Sequence, residues 1–329
     1  MQKQETKANS VAVHPQVLSL LETIFRPQDT DVPLTVDGVR FTNDSELAAL
    51  VGPGEAVAQI WPARFQFESK AIEGRWYLPS EAASSHVIVF VHGGGWVSGD
   101  LNSYDTLCRS MALRSGALVL SVDYGRSPEN PFLAAIKQVK HVLEHVRTYV
   151  AEFGCNEAEL SVAADSAGAQ VLAAALHLLA ESNRPVPDSA VFIYPALDAT
   201  MQHDTWTSFG SGYRLTRRTM EWYWTQYLGR HPGELGAQAY DPCVSPIYSH
   251  HLAQFPRSLV VTAACDPLRA EGEEFFHRLS QAGVDSEYLM VPGQIHGFLR
   301  FRKAFTDPEW GADAVMERIC KFLIGSRPA

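Results

Sequence analysis

The chain has 329 residues, of which 46% are hydrophobic and 19% charged, a balance typical of a soluble globular protein. Its net charge is −10 and no long basic run occurs, which argues against nucleic acid or an anionic membrane surface as a partner. The apolar runs are too short to span a bilayer, and we expect no secretory signal. The five cysteines are scattered without a CxxC pair, which favours reduced thiols in a cytoplasmic protein over a disulfide framework or a zinc site.

The first part of the chain predicts short helices followed by a hairpin. "HPQVLSLLETIF" and "DSELAALVG" have helical apolar spacing, and they lie within residues 1–55. From about residue 60 the pattern changes, because "ARFQFESKAIEGRWYLP" alternates in the manner of strands, and we expect the turn of this hairpin at Gly74. Residues 1–55 are therefore predicted to be separate from a larger domain spanning residues 56–329.

Apolar strand-like runs alternate with helical stretches in the rest of the chain. The predicted strands are 86–95, 116–124, 159–165, 189–197, 257–266 and 285–293. The predicted helices include 132–153, 267–282 and about 309–324. Short continuous runs of this kind predict an α/β fold, in which a mostly parallel central sheet is covered by helices on both faces.

One segment, at about residues 200–245, interrupts this alternation. It contains three of the seven tryptophans, Trp206, Trp222 and Trp224. Such an insertion is either a helical elaboration that packs on itself or a cap that lines an apolar site. The second interpretation has a geometric basis, because the insertion leaves from the carboxyl end of a strand, where ligands of α/β sheets bind.

A serine stands at the joint between a predicted strand and a predicted helix, in "LSVAADSAGAQVLAAALHLLA". The small residues around Ser166 indicate either tight packing or a strained elbow that exposes one hydroxyl. A reactive serine needs a histidine base, a carboxylate and aligned backbone amides. Asp266 follows "SLVVTAAC", His296 lies in "VPGQIHGF", and the glycine-rich turn "HGGGW" occupies 92–96. Each is weak evidence alone, but all follow strands in the order expected of an α/β-hydrolase triad.

Together these motifs resemble the hormone-sensitive-lipase-like family of α/β-hydrolases, which includes bacterial carboxylesterases and acetyl esterases. The resemblance runs from about residue 60 to the C-terminus and rests on "HGGGWVSGD", "SVDYGRSPEN", "DSAGA", "YPALD", "CDPLRAEG" and "IHGF". It implies an α/β-hydrolase fold, with a cap built from residues 1–55 and the 200–245 insertion. The implied catalytic residues are Ser166, Asp266 and His296. The implied oxyanion hole consists of the N–H groups of Gly94, Gly95 and Ala167, with Gly93 as an alternative donor.

The sequence departs from the family pattern at two places. In the G-x-S-x-G elbow Ala164 replaces the first glycine, and Ala169 stands where another glycine usually follows Gly168. Because each change adds one methyl group, we expect the elbow to form. In "DYGRSPE" the extra Gly125 moves the arginine to Arg126, which leaves open whether this arginine reaches its usual partners.

The resemblance implies a serine carboxylesterase that hydrolyses short-chain esters through an acyl-enzyme, with a small-molecule ester as its partner and a homodimer left open. No cofactor or metal is expected. His250 and His251 lack a carboxylate or cysteine at ligand spacing, so a solvated loop is the expected reading. The alternatives are an amidase or arylformamidase, with which Trp96 after the glycines is compatible, and a non-catalytic ligand receptor on the same scaffold.

Overall fold

The structure, a computed structural model, describes residues 12–25, 33–80, 86–151 and 159–325. Within these ranges one eight-stranded sheet is formed by β1 (Gln59–Phe67), β2 (Lys70–Leu78), β3 (His86–Val91), β4 (Leu118–Asp123), β5 (Glu159–Asp165), β6 (Ser189–Ile193), β7 (Arg257–Cys265) and β8 (Ser286–Ile295). The α-helices are α1 (Pro15–Thr23), α2 (Val36–Leu50), α3 (Asp105–Ser115), α4 (Ala134–Ala151), α5 (Ala167–Glu181), α6 (Thr205–Phe209), α7 (Arg217–Leu228), α8 (Arg269–Gln281) and α9 (Ala312–Ile324).

The sheet is mostly parallel, as predicted. Its strand order is β1-β2-β4-β3-β5-β6-β7-β8, in which only the pairs β1–β2 and β2–β4 are antiparallel among the strands that the structure describes. The carboxyl ends of β3 and of β5 through β8 consequently lie along one edge. The predicted catalytic residues Ser166, Asp266 and His296 follow strands that end at this edge.

Helices cover both faces of the sheet because successive side chains of its central strands point to opposite sides. Val87, Val89 and Val91 of β3 join the core on the face of α4, α5 and α8. Ile88 and Phe90 join the core on the face of α3 and α9. A strand buried on both faces has a continuous apolar sequence, which is why the central strands could be predicted.

The predicted hairpin turn at Gly74 is wrong. Gly74 lies within β2, and the chain reverses at residues 68 and 69, where Glu68 adopts a φ of 50°. The glycine is needed for close strand packing, since a Cβ at this position would lie 2.8 Å from the carbonyl oxygen of Ser121 in β4. The glycine therefore marks a close approach between two backbones.

Two predicted strands also end earlier than expected. The strand predicted over 86–95 ends at Val91, and the one predicted over 189–197 ends at Ile193. Beyond these points the chain turns sharply, with a φ of 115° at Gly94 and 35° at Tyr194. These turns place loop backbone, rather than strand, over the carboxyl edge of the sheet.

The N-terminal helices and the insertion both lie against the larger domain. The N–H of His14, next to α1, donates to the carbonyl of Gly293 in β8 at 3.0 Å, and Val17 is fully buried. The insertion contains α6, α7 and several short 3₁₀ turns. Among the helices that the structure describes, none combines the length and apolar character that a membrane span requires.

Candidate active site

The strand–helix joint at Ser166 is a strained elbow. Ser166 lies between β5 and α5 with φ 52° and ψ −122°, and its N–H donates to the carbonyl of Ile193 at 2.8 Å. A Cβ at Gly168 would lie 2.3 Å from the carbonyl oxygens of Val91 and His92, so only glycine fits there. Ala164 is fully buried in β5, and the elbow forms with its methyl group in place.

The structure brings the three predicted side chains into one hydrogen-bonded chain. Ser166 Oγ lies 2.8 Å from His296 Nε2, and His296 Nδ1 lies 2.8 Å from Asp266 Oδ2. Asp266 follows the end of β7 and His296 follows the end of β8, two adjacent strands of the sheet. Asp266 is fully buried and its Oδ1 accepts the N–H of Leu268 at 2.9 Å, which fixes the carboxylate in orientation.

The glycine-rich turn presents backbone amides beside the serine. Gly93 is excluded as the alternative donor, because its N–H donates to Asp165 Oδ1 at 2.6 Å and contacts the Tyr104 hydroxyl at 3.1 Å. Across the described ranges, the N–H groups of Gly94, Gly95 and Ala167 donate no hydrogen bond. These three amides are therefore available to an anion formed at the serine.

A family model described as the alpha/beta hydrolase fold matches residues 88–300. The chain belongs to this family. The predicted likeness to its hormone-sensitive-lipase-like members is confirmed, and with it the expectation of a hydrolase.

Several proteins similar to this chain are ester hydrolases. The chain is 34% identical to a carboxylic ester hydrolase, LipN, of Mycobacterium tuberculosis, over 69% of this chain and 61% of LipN, less than two thirds of that protein's length. It is 30% identical to an ethyl acetate hydrolase of Pseudomonas putida, over 76% of this chain and 78% of the relative. A thermostable esterase of Pseudomonas putida superposes with a TM-score of 0.86 at 25% identity, covering 97% of this chain and 100% of the other.

In this hydrolase the buried Asp165 fixes the start of the glycine-rich turn. Besides the Gly93 N–H, its carboxylate accepts the hydroxyls of Tyr104 at 3.0 Å and Tyr194 at 3.4 Å. Burial raises the pKa of Asp165, and the positive charge of Arg300 opposes that rise. Asp165 is thus a structural hydrogen-bonding residue, although it stands next to Ser166 in the sequence. Tyr104 lies outside the motifs and Tyr194 begins "YPALD", and nothing in the sequence shows that both hydroxyls reach this carboxylate.

His92, which begins the turn, is buried and does not contact the serine. Its ring stacks on Tyr124 with centroids 4.4 Å apart, and its Nδ1 lies 2.9 Å from the carbonyl oxygen of Gly93. Burial lowers the pKa of His92 to about 4. His92 therefore shapes the turn, and His296 is the imidazole that contacts Ser166.

Both predicted cap segments of the hydrolase contact the same turn. Asn43 of α2 donates to Ser98 Oγ at 2.7 Å, and Ser98 Oγ in turn donates to the carbonyl of Gly94 at 2.9 Å. The ring of Tyr223 in α7 lies over Gly95 so closely that a Cβ there would be 2.2 Å from it. The aromatic insertion therefore does more than pack on itself.

Two other motif residues lie away from the serine. Trp96 is buried, donates to Gln170 Oε1 at 3.0 Å and stacks on Tyr227 with centroids 4.6 Å apart, so it packs between α5 and α7. Arg126 donates to the carbonyl of Gly99 at 2.9 Å. It also lines a cavity of about 320 Å³ that none of the three triad residues lines.

Proposed function

We propose that this hydrolase is a serine carboxylesterase acting on short-chain esters. The observation that carries the proposal is the continuous hydrogen-bond chain from Ser166 through His296 to Asp266. The N–H groups of Gly94, Gly95 and Ala167, which donate no hydrogen bond within the described ranges, support it. The names of the relatives, which are ester hydrolases, support the same conclusion.

Acylation follows from the positions of these groups. His296 Nε2 takes the hydroxyl proton as Ser166 Oγ attacks the ester carbonyl carbon, and Asp266 stabilises the resulting imidazolium. The carbonyl oxygen becomes an oxyanion that the amides of Gly94, Gly95 and Ala167 bind. When the tetrahedral intermediate collapses, the bond to the alcohol oxygen breaks, and His296 gives its proton to the departing alcohol.

Deacylation repeats the same proton transfers with water. His296 removes a proton from a water molecule as its oxygen attacks the acyl carbon bound to Ser166. Collapse of the second intermediate breaks the bond to Ser166 Oγ, which recovers its proton from His296, and the carboxylic acid leaves. His296 thus carries each proton in the cycle, which is why its tautomer must be held by Asp266.

The proposal of a small substrate rests on the walls of the site. The ring of Tyr223, from the insertion, covers Gly95. An aromatic ring this close to the proposed oxyanion turn leaves little width for a long chain. A series of p-nitrophenyl esters tests this, with acetate and butyrate expected as the best substrates. Highest activity on long-chain emulsions would contradict it.

A serine-directed fluorophosphonate tests the nucleophile and separates the enzyme from a receptor. We expect covalent labelling of the wild type and of Ser182→Ala, which alters an exposed serine after the other end of α5, and no labelling of Ser166→Ala. Wild-type protein that is folded but unlabelled would favour a receptor. Comparing an aryl ester with its matching amide tests the amidase alternative, for which the buried Trp96 gives no support. The cytoplasmic location and the homodimer stay predictions.

A further inference from the structure

We propose that His177, Glu181 and His250 form a binding site for a divalent transition-metal ion of the Zn²⁺ type, separate from the esterase site. Each of these residues offers one ligand atom, and these atoms all lie within 4.8 Å of one another. The sequence led us to expect a solvated loop at His250, because no carboxylate lies near it along the chain. The fold supplies that carboxylate from the outer end of α5.

Two elements form the cluster. His177 and Glu181 are four residues apart on α5, so their side chains lie on the same face of the helix. The third ligand comes from the loop Ser249–His251, which follows a 3₁₀ turn packed against α5. A hydrogen bond of 2.8 Å between His177 Nδ1 and Ser249 Oγ joins the loop to the helix. Backbone and side-chain contacts thus hold the two elements together without any ion.

The donor set matches the chemistry of zinc. Two imidazoles and one carboxylate are a common set of three protein ligands, which leaves a fourth position for water. His177 is buried and its Nδ1 is hydrogen-bonded, which leaves Nε2 for the metal. A ligand histidine is usually oriented by such a bond from its second nitrogen. Glu181 and His250 are exposed, so an ion can enter from solvent.

A third imidazole lies beside the cluster. The ring centroid of His251 lies 5.3 Å from that of His177 and 4.4 Å from that of His250. Imidazole nitrogens are common ligands of Zn²⁺, so the surroundings of the cluster match the same donor chemistry.

An ion bound here would connect two parts of the catalytic domain. Helix α5 begins directly after Ser166, and the loop with His250 leads into β7, which ends at the residue before Asp266. Because a ligand that binds only the folded state stabilises it, Zn²⁺ should raise the unfolding temperature. The ester chemistry, which lies at the other end of α5, should not change.

The test is a titration of the metal-free full chain with Zn²⁺ against a chromophoric chelator, together with thermal unfolding. The variants are His250→Ala and Glu181→Gln, and the matched control is His277→Ala, which removes an exposed helical histidine outside the cluster. We expect both cluster variants to bind Zn²⁺ about tenfold or more weakly than the wild type and to lose its metal-dependent rise in unfolding temperature. The control should behave as the wild type.

The comparison between variants decides the result, because other histidines and thiols of the chain bind Zn²⁺ weakly. Equal Zn²⁺ affinity in the wild type, His250→Ala and Glu181→Gln would overturn the proposal. So would a wild type whose unfolding temperature does not respond to Zn²⁺. Cooperative thermal unfolding of metal-free His250→Ala at the wild-type temperature verifies that the variant is folded, so the result does not depend on the proposed esterase function.

Discussion

The two halves of the candidate active site are held in place in different ways. The elbow around Ser166 is fixed by its own strand and the neighbouring ones, through the N–H bond to Ile193 and the close approach of Gly168 to the end of β3. The glycine-rich turn over residues 92–99 depends on side chains from elsewhere, including Asn43 and Tyr223 of the predicted cap.

From this difference we expect changes at the elbow to abolish the reaction and changes in the turn or the cap only to weaken it. In the proposed mechanism, a change at Ser166 removes the atom that attacks the substrate, whereas a change in the turn disturbs the amides proposed to stabilise the oxyanion. A change in the cap acts on the turn through one further contact.

Ser166→Ala should lower the turnover of p-nitrophenyl acetate by roughly 10⁴–10⁶-fold, because no other group can form the acyl-enzyme. Steady-state kinetics measures the loss, and Ser182→Ala serves as the control. Hydrolysis by Ser166→Ala at the wild-type rate would show that the elbow is a packing feature only.

Gly95→Ala should lower kcat by about 10²–10³-fold, since the turn would shift and an oxyanion donor would move with it. The new Cβ would lie 2.2 Å from the Tyr223 ring, at a φ of 61°. The control is Gly229→Ala, whose φ is 73° and where nothing lies within 4 Å. Gly229→Ala thus introduces a similar backbone strain at a positive φ, without the steric overlap between a Cβ and Tyr223. A wild-type kcat in Gly95→Ala would remove this turn from the mechanism.

The buried His92 should make the turn sensitive to acid. Its folded pKa is about 4 against an ordinary 6.5, so the unfolded chain takes up a proton over that interval while the folded chain does not. The free energy of unfolding should therefore fall, by up to about 3 kcal/mol, as the pH drops from about 6.5 to about 4.

Urea unfolding at pH 7.5 and pH 4.5 measures this dependence in the wild type, in His92→Gln and in the exposed-site control His277→Gln. The His92 variant should lose part of the dependence, whereas the control should keep it. Identical pH slopes in all three proteins would assign the acid sensitivity to other groups.

Asn43→Ala should have the smallest effect, a roughly fivefold lower kcat/KM, because it removes a short hydrogen bond to Ser98 Oγ, worth about 1 kcal/mol, and a longer one of 3.3 Å to the Tyr223 hydroxyl. Both contacts act on the turn through another side chain. Ser45→Ala is the matched control on α2, since its hydroxyl bonds only within the helix, to Phe41. An equal loss in both variants would mean that the whole helix, rather than this contact, supports the turn.

Much of this architecture could be predicted from the sequence, because its signals are local. The central strands are continuous apolar runs, and Ser166, Asp266 and His296 each follow one of them. In a mostly parallel sheet, carboxyl ends of strands meet at one edge, so three distant residues could be expected to meet. Their side chains do lie within hydrogen-bonding distance.

The features that could not be predicted depend on contacts between distant segments. Gly74 resembles a turn residue, yet the structure uses it for close approach to β4. Gly93 could be set apart from Gly94 and Gly95 only after Asp165 was placed. The cluster of His177, Glu181 and His250 could be recognised only from the fold, which places α5 beside the loop of His250. No spacing along the chain records such distances.

Helix α5 also sets a fixed distance between Ser166 and position 181. Its 15 residues span about 22 Å. All of them except Leu178 and Glu181 are buried, and this packing holds the helix in a fixed orientation. A spin label at position 181 would therefore lie at a known distance from an inhibitor bound at Ser166. Paramagnetic broadening of an inhibitor's NMR signals could then report how that molecule is oriented, without altering a single group that takes part in catalysis.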